Sequence, residues 1–257
     1  MEYDYYFGIA SYHRKDRQPM LHYLHEMGYE SDRIIMAVQT REDYEEYKSR
    51  YDRDCILLFK EGVNVATNKN TILDFMQTYY PNKPIIMCSD KVRGVQKLST
   101  KMTVDLTKEE FRKLCEKGIS ISRKLDCKCF GVYPVENTMF MEESISTNRN
   151  ILGCFMGILD TSIKFHERFA LKEDMQYVCE CIKRGYRTLR FNNICLKATL
   201  HTQGGCHSAW NSDGDSVNNE CTNLLLSLYP NITSRHSTRR NEIRLTAKSR
   251  KIKTSII

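Results

Sequence analysis

The chain has 257 residues, 41% of them hydrophobic, which is enough to bury one large core or two small ones. Its net charge is +7, and its 11 cysteines, an odd number without a secretory start, favour reduced thiols over a disulfide framework. No apolar run approaches the roughly 20 residues of a membrane helix, and Met1-Glu-Tyr-Asp lacks the basic opening of a signal peptide, so a soluble, unexported, cytoplasmic protein is expected.

The first ninety residues alternate short apolar runs with helical patterns. Tyr5-Tyr-Phe-Gly-Ile-Ala10 predicts a buried strand that ends in the polar loop Ser11-Tyr-His-Arg-Lys-Asp-Arg17. Met20, Leu21, Leu24 and Met27 recur at helical spacing behind Pro19, with Gly28 as C-cap. Residues 33–39 predict a second strand, and Thr40 caps a second helix. Residues 55–59 predict a third strand, followed by a loop over 61–70 that leads into a helix from Thr71. A fourth strand, Ile85-Ile-Met-Cys88, stops abruptly at Ser89-Asp90-Lys91. Four such units make a mostly parallel, Rossmann-like α/β sheet flanked by helices the economical fold. In open α/β sheets ligands bind beyond the carboxyl ends of the strands, so Asp90, Lys91 and Arg93 stand where an anionic ligand would be met, unless this stretch only caps the sheet.

The second half is less regular. A helix capped by Thr107 precedes strands over 129–134 and 151–159, the latter with two glycines. Glu173 and Asp174 open a helix closed by Gly185, residues 186–192 predict a final strand, and residues 218–229 a last helix. Cys127-Lys-Cys129 and Cys179-Glu-Cys181 lack the two-residue spacer usual in zinc sites, and a helix would turn Cys179 and Cys181 to different faces, so ordinary buried thiols are expected.

Charge is concentrated at the end. From residue 235 onward Arg235, Arg239, Arg240, Arg244, Lys248, Arg250, Lys251 and Lys253 face a single acid, Glu242, and hold the whole of the excess charge. The chain is therefore divided into a domain over 1–230 and a basic C-terminal tail over 231–257. Such a tail suits a polyanion, whose counterions it releases, or serves only to keep the chain soluble.

No Gly-x-Gly-x-x-Gly follows the first strand, and neither a Walker loop nor a Gly-x-Ser-x-Gly elbow is present. The order Gly8-Ile-Ala-Ser-Tyr-His-Arg14, Val38-Gln-Thr-Arg-Glu-Asp-Tyr44, Gly62 with Asn68-Lys-Asn70, Ile86-Met-Cys-Ser-Asp-Lys-Val-Arg-Gly94, Lys172-Glu-Asp174 and Gly204-Gly-Cys206 resembles nucleotide-sugar glycosyltransferases of the GT-A fold. More narrowly, it resembles the TET-associated glycosyltransferases of bacteriophages, which glycosylate hydroxymethylated pyrimidines in DNA. The resemblance implies one GT-A-like domain, a nucleotide-sugar donor such as a UDP-sugar, double-stranded DNA with modified pyrimidines (5-hydroxymethylcytosine among them) as acceptor, and a place in the host cytoplasm.

Carried over residue by residue, the resemblance implies that Ser11, Tyr12 and Arg14 meet the nucleotide, Gln39 its base, and Lys69 and Asn70 the ribose or sugar, with Asp90 and Arg93 completing the donor site. Glu173 and Asp174 match the acid pair of inverting members, with Asp174 as general base; as plain structure they would complement a helix dipole. Gly204 and Gly205 are expected to form a loop that closes over donor or acceptor, with His207 and Trp210 toward the acceptor. The basic residues of the tail would track DNA phosphates.

The chain departs from the family at Ser89-Asp90-Lys91, where members carry an acid triplet whose last residue holds a divalent manganese or magnesium ion. Lys91 would repel that cation and attract the diphosphate itself, an attraction of roughly 4 kcal/mol at 4 Å and an effective dielectric near 20. Lys91 is thus expected to replace the metal, with Asp90 and His201 the ligands that would remain if one were bound. Transfer to another acceptor (an already glycosylated base, a protein or a glycan) and an inactive nucleic-acid-binding scaffold stay open as alternatives.

Overall fold

A computed structural model describes residues 3–62, 64–134, 136–198, 214–239 and 241–253. The first four strands are β1 (Tyr6–Ala10), β2 (Ile34–Val38), β3 (Ile56–Phe59) and β4 (Ile85–Ser89). They read as unbroken apolar runs because both faces are covered. Ile86 and Cys88 enter one core layer with Phe7, Ile9 and Met36, whereas Ile85 and Met87 enter the other with Ile35, Ile72 and Met76. Between them lie the helices α1 (Pro19–Glu26), α2 (Arg41–Tyr51) and α3 (Val65–Tyr79). Pro19 sits in the first turn of α1, and Gly28, at φ +90°, reverses the chain after it.

The remaining elements are β5 (Val92–Ser99), β6 (Met102–Asp105), α4 (Lys108–Lys124), β7 (Cys127–Tyr133), β8 (Ser144–Thr147), β9 (Phe155–Ile158), α5 (Glu173–Lys183), β10 (Arg187–Ala198), α6 (Gly214–Leu228), β11 (Thr233–Arg235), β12 (Ile243–Leu245) and β13 (Lys251–Lys253). The main sheet has eleven strands in the order β13-β8-β10-β7-β9-β4-β1-β2-β3, with β5 and β6 branching from β10. Followed through the pairings, every strand except β5, β8 and β9 points the same way. The α/β class with a mostly parallel sheet is therefore observed, and its first half is the expected βαβ series. A two-stranded sheet, β11-β12, lies apart.

Several elements differ from the sequence expectation. Helix α3 begins six residues before Thr71, because the Asn64 side chain accepts the N–H groups of Ala66 and Thr67 and starts the helix there. Residues 68–70 therefore lie in the opening turns of a helix instead of a loop. The expected strand over 151–159 is confined to Phe155–Ile158, leaving residues 151–154 as a loop at the β4 edge. Strand β10 runs on to Ala198 and is not the last strand. The segment after 230 is folded against the body: β13 pairs with β8, and Ile243 is buried with Cys179 of α5 and Leu225 of α6. As their helical spacing predicts, Cys179 and Cys181 enter different core clusters. Among the described residues no helix is long and apolar enough to cross a membrane.

Candidate functional site

The carboxyl ends of β1 and β4 are neighbours, with Ala10 in register with Ser89. The residues that follow each strand, Ser11 and Asp90, meet there. Ser11 Oγ donates to Asp90 Oδ2 at 2.8 Å, Arg14 Nη1 donates to Asp90 Oδ1 at 3.0 Å, and Gln18 Nε2 donates to Ser11 Oγ at 2.9 Å. Tyr47 on α2 closes the cluster: its hydroxyl is 2.8 Å from Ser11 Oγ and accepts the Arg14 N–H at 2.9 Å. Burial pushes the Asp90 carboxyl up, opposed by Arg14, the Ser11 hydrogen bond and Lys91. Asn68, brought inward by the early start of α3, donates to the Ser11 carbonyl at 2.9 Å.

Around this cluster several buried acceptors have no partner among the described residues: Gln18 Oε1, Gln39 Oε1, Thr67 Oγ1 and Asn68 Oδ1.

A second cluster forms where α5 begins. Lys172 holds a left-handed backbone, φ +64°, ahead of the helix, an uncommon state for a residue with a Cβ. Glu173 Oε1 accepts from Lys69 Nζ at 2.7 Å, and both side chains are buried. Lys69 also lies over the Phe165 ring. Asp174 Oδ2 accepts the Gly153 N–H at 2.9 Å and Oδ1 the Met175 N–H at 2.7 Å. A Cβ at Gly153 would stand 2.4 Å from Lys69 Nζ and 3.2 Å from Asp174 Cβ, so the end of the lysine would have to shift. Desolvation raises the Asp174 carboxyl, and the charge of Glu173 raises it further, against Lys69 and the two N–H groups. Desolvation is also the largest influence on Lys69, lowering it, but Glu173 and Asp174 together hold its ammonium above the ordinary lysine value.

The two clusters are joined through β9. Cys88 is in register with Phe155, and the Ser89 N–H donates to the Cys154 carbonyl at 3.1 Å, so Gly153-Cys154 lies alongside Ser89-Asp90. Desolvation raises the Cys154 thiol, while Lys91 and Lys69 act on it from one sign and Asp174 and Glu173 from the other. Lys91, which makes no hydrogen bond or ion pair among the described residues, and Asp174 are therefore both within electrostatic reach of one thiol.

Of the residues expected in the site, the structure gathers Ser11, Arg14 and Asp90, and separately Lys69, Glu173 and Asp174. Gln39 is buried at the end of β2. Tyr12 is half-buried, its ring tilted against that of His13. Asn70 is engaged elsewhere: it donates to the Phe165 carbonyl and Glu167 Oε1 and accepts the Phe165 N–H, fixing the loop before α5. Arg93 is exposed on β5. His201, Gly204, Gly205, His207, Trp210 and Arg240 lie outside the described residues. Of the basic C-terminal residues, Arg239 pairs with Glu242 and Lys251 with Glu142; Arg235 reaches Asn223 Oδ1, while Lys248, Arg250 and Lys253 are exposed. Sequence reasoning missed Gln18, Tyr47, Asn68 and Gly153. Asn64, with a helix-capping side chain, was the available signal for Asn68.

The metal that the resemblance implies fits poorly. Both Asp90 oxygens are occupied by Ser11 and Arg14, a cation stands next to it at Lys91, and among the described residues no three His, Cys, Asp or Glu side chains gather.

No family model matches the chain, and no curated protein matches it. Among solved structures, a mannose-1-phosphate geranyltransferase from Thermus thermophilus is matched with a TM-score of 0.38 and 11% identity, over 86% of this chain and 64% of that one. This chain thus spans less than two thirds of that structure's length. Similarity at this level assigns neither substrate nor chemistry.

Proposed function

We propose that the chain is a glycosyltransferase that moves a sugar from a nucleotide-sugar to the hydroxyl of a hydroxymethylated pyrimidine in duplex DNA. One observation carries the reading. Lys91, which follows β4, and Asp174, in the first turn of α5, both act on the Cys154 thiol, which lies alongside Ser89 and Asp90, and the Asp174 carboxyl has a raised proton affinity. The orphaned acceptors on Gln18, Gln39, Thr67 and Asn68 suit the N–H and hydroxyl donors of a base and ribose.

In this reading the acceptor oxygen attacks the anomeric carbon and its proton passes to Asp174. The bond from that carbon to the terminal phosphate oxygen breaks, and the nucleoside diphosphate leaves with the electron pair. Lys91 stabilises the charge that develops on it, a role that preorganised donors perform strongly where water is excluded. Glu173, tied to Lys69, fixes the start of α5 and so the position of Asp174. Asp90 holds Ser11 and Arg14 in place instead of binding a cation.

Mass spectrometry of nucleosides from hydroxymethylated DNA, treated with the protein and a panel of nucleotide-sugars with and without EDTA, tests the proposal. A new hexose or pentose mass on the base is the expected result. No added mass with any donor, in the presence of manganese or magnesium, overturns it.

A further inference from the structure

A cavity of about 370 Å³ has a lining that includes Arg149, Arg190, Arg244, His236, Asn150 and Met175, and no acidic side chain. Met175 follows Asp174 directly and donates its N–H to that carboxylate, so the cavity reaches the first turn of α5. Its far wall is the C-terminal segment, held there because Thr147 and Arg250 exchange hydrogen bonds and Asn148 Nδ2 donates to the Lys248 carbonyl.

The three guanidinium groups are held differently, and none of them is ion-paired with a carboxylate among the described residues. Arg190 is half-buried over the Tyr133 ring, its Nε donating to Asn192 Oδ1 at 3.0 Å and its Nη1 to the Asn150 carbonyl at 3.4 Å. These partners are neutral. Arg149 makes no hydrogen bond or ion pair among the described residues. Arg244 Nη2 is 3.2 Å from His236 Nε2. Burial and the charge of Arg149 together push Arg190 down from its ordinary value. The nearest acid acting on Arg190, Glu142, is itself paired with Lys251. Arg149 and Arg244 are exposed and Arg190 is half-buried; the repulsion between Arg149 and Arg190 is one that a bound dianion or phosphodiester would relieve while accepting the planar, multidentate donors that guanidinium presents.

We infer that Arg149, Arg190 and Arg244 form a phosphate-binding pocket that seats a backbone phosphate of the polynucleotide acceptor. The inference rests on the glycosyltransferase reading for the identity of the acceptor. It replaces a free basic tail with a built pocket in which only part of the C-terminal segment takes part, alongside two arginines, Arg149 and Arg190, that lie outside it.

The test measures binding of the full chain to fluorescent duplex DNA across a salt series, for the wild type and for Arg149→Ala, Arg149→Glu and Arg244→Ala. Arg190→Lys serves as a milder change at the buried position, with melting curves to confirm folding. Each alanine variant should weaken duplex binding about ten-fold and reduce the slope of log K against log salt by roughly 0.9, one phosphate contact; Arg149→Glu should weaken it more. Inorganic phosphate should compete in the wild type and lose its effect in Arg149→Glu. Affinity for a free nucleoside diphosphate should not change. Duplex binding and salt slope equal to wild type in folded Arg149→Glu overturn the inference, and so does a loss confined to nucleoside diphosphate, which would make the pocket part of the donor site. The two readings fail separately: lost DNA binding without transfer from any donor retains the pocket and removes the enzyme, whereas transfer that is indifferent to Arg149 and Arg244 does the reverse.

Discussion

Lys69 Nζ lies 2.7 Å from Glu173 Oε1, with both side chains buried and separated by more than a hundred residues in sequence. The pair fastens α3 to the start of α5. Removing one partner of such a pair leaves a charge without compensation, so Lys69→Ala should cost about 3–5 kcal/mol in chemical denaturation. Lys69→Met combined with Glu173→Leu should recover most of that loss. A double variant no more stable than Lys69→Ala would show that the pair is not what holds these elements.

Gly153 allows the backbone to pass beneath that pair. In Gly153→Ala the new methyl group meets Lys69 Nζ at 2.4 Å, and the lysine cannot swing away without abandoning Glu173. The Gly153 N–H that fixes Asp174 moves with it. Transfer should fall at least ten-fold, with a loss of about 1–3 kcal/mol in stability from crowding. Unchanged kinetics together with unchanged melting would contradict the close approach.

Asn64 sets where α3 begins. Its side-chain oxygen accepts two N–H groups, and its Nδ2 donates to the Glu167 carbonyl at 2.6 Å. Asn64→Ala should cost about 1 kcal/mol, the usual value for a lost N-cap. Because Asn68 and Lys69 stand on the first turns, binding of a donor nucleotide should weaken in the same variant. Calorimetry with the free nucleotide checks both effects.

The framework could be read from the chain because β1, β2 and β4 are buried on both faces, and each ends at a polar residue. Thr40, Thr107, Gly28 and Gly185 marked helix ends by local chemistry alone, and each takes that part here. Within the site, Ser11 and Asp90 were legible at their own strand ends, and Lys69, Glu173 and Asp174 through the family resemblance. Lys69 with Glu173 and Gly153 with Asp174 are meetings between distant segments, and Arg149 and Arg244 line one cavity from distant segments; no spacing in the chain gives a sign of either. Asn70 shows the opposite limit: it sits among site residues in sequence, yet its amide is used to hold the Phe165–Glu167 loop.

Asp174 should impose a pH dependence. Its carboxyl is raised above the ordinary 3.8, so the native chain holds this proton more tightly than the unfolded chain does. Its contribution to stability is therefore complete below the unfolded value and is lost as pH rises through the native one. Transfer needs the ionised form, so the acid limb of the rate profile should lie above 3.8 and follow Asp174. Asp174→Asn should lower the rate by roughly 10²- to 10⁴-fold and flatten that limb. A rate profile in Asp174→Asn with the same acid limb would assign the base elsewhere.

Lys91 separates two ways of stabilising a departing diphosphate. It has no hydrogen bond or ion pair among the described residues, so Lys91→Ala should melt close to wild type; any change in rate then belongs to the reaction and not to folding. Loss of a preorganised charge at a developing anion is worth about 10²-fold in rate, and the fall should appear in kcat more than in KM, since the charge grows in the transition state. EDTA should leave the wild type unaffected. In Lys91→Asp, which restores an acid at this position, added manganese should recover part of the lost activity if the position is the one that a cation would otherwise occupy. Wild-type turnover that stops in EDTA and returns with manganese would assign the diphosphate to a metal and leave Lys91 no part in its departure.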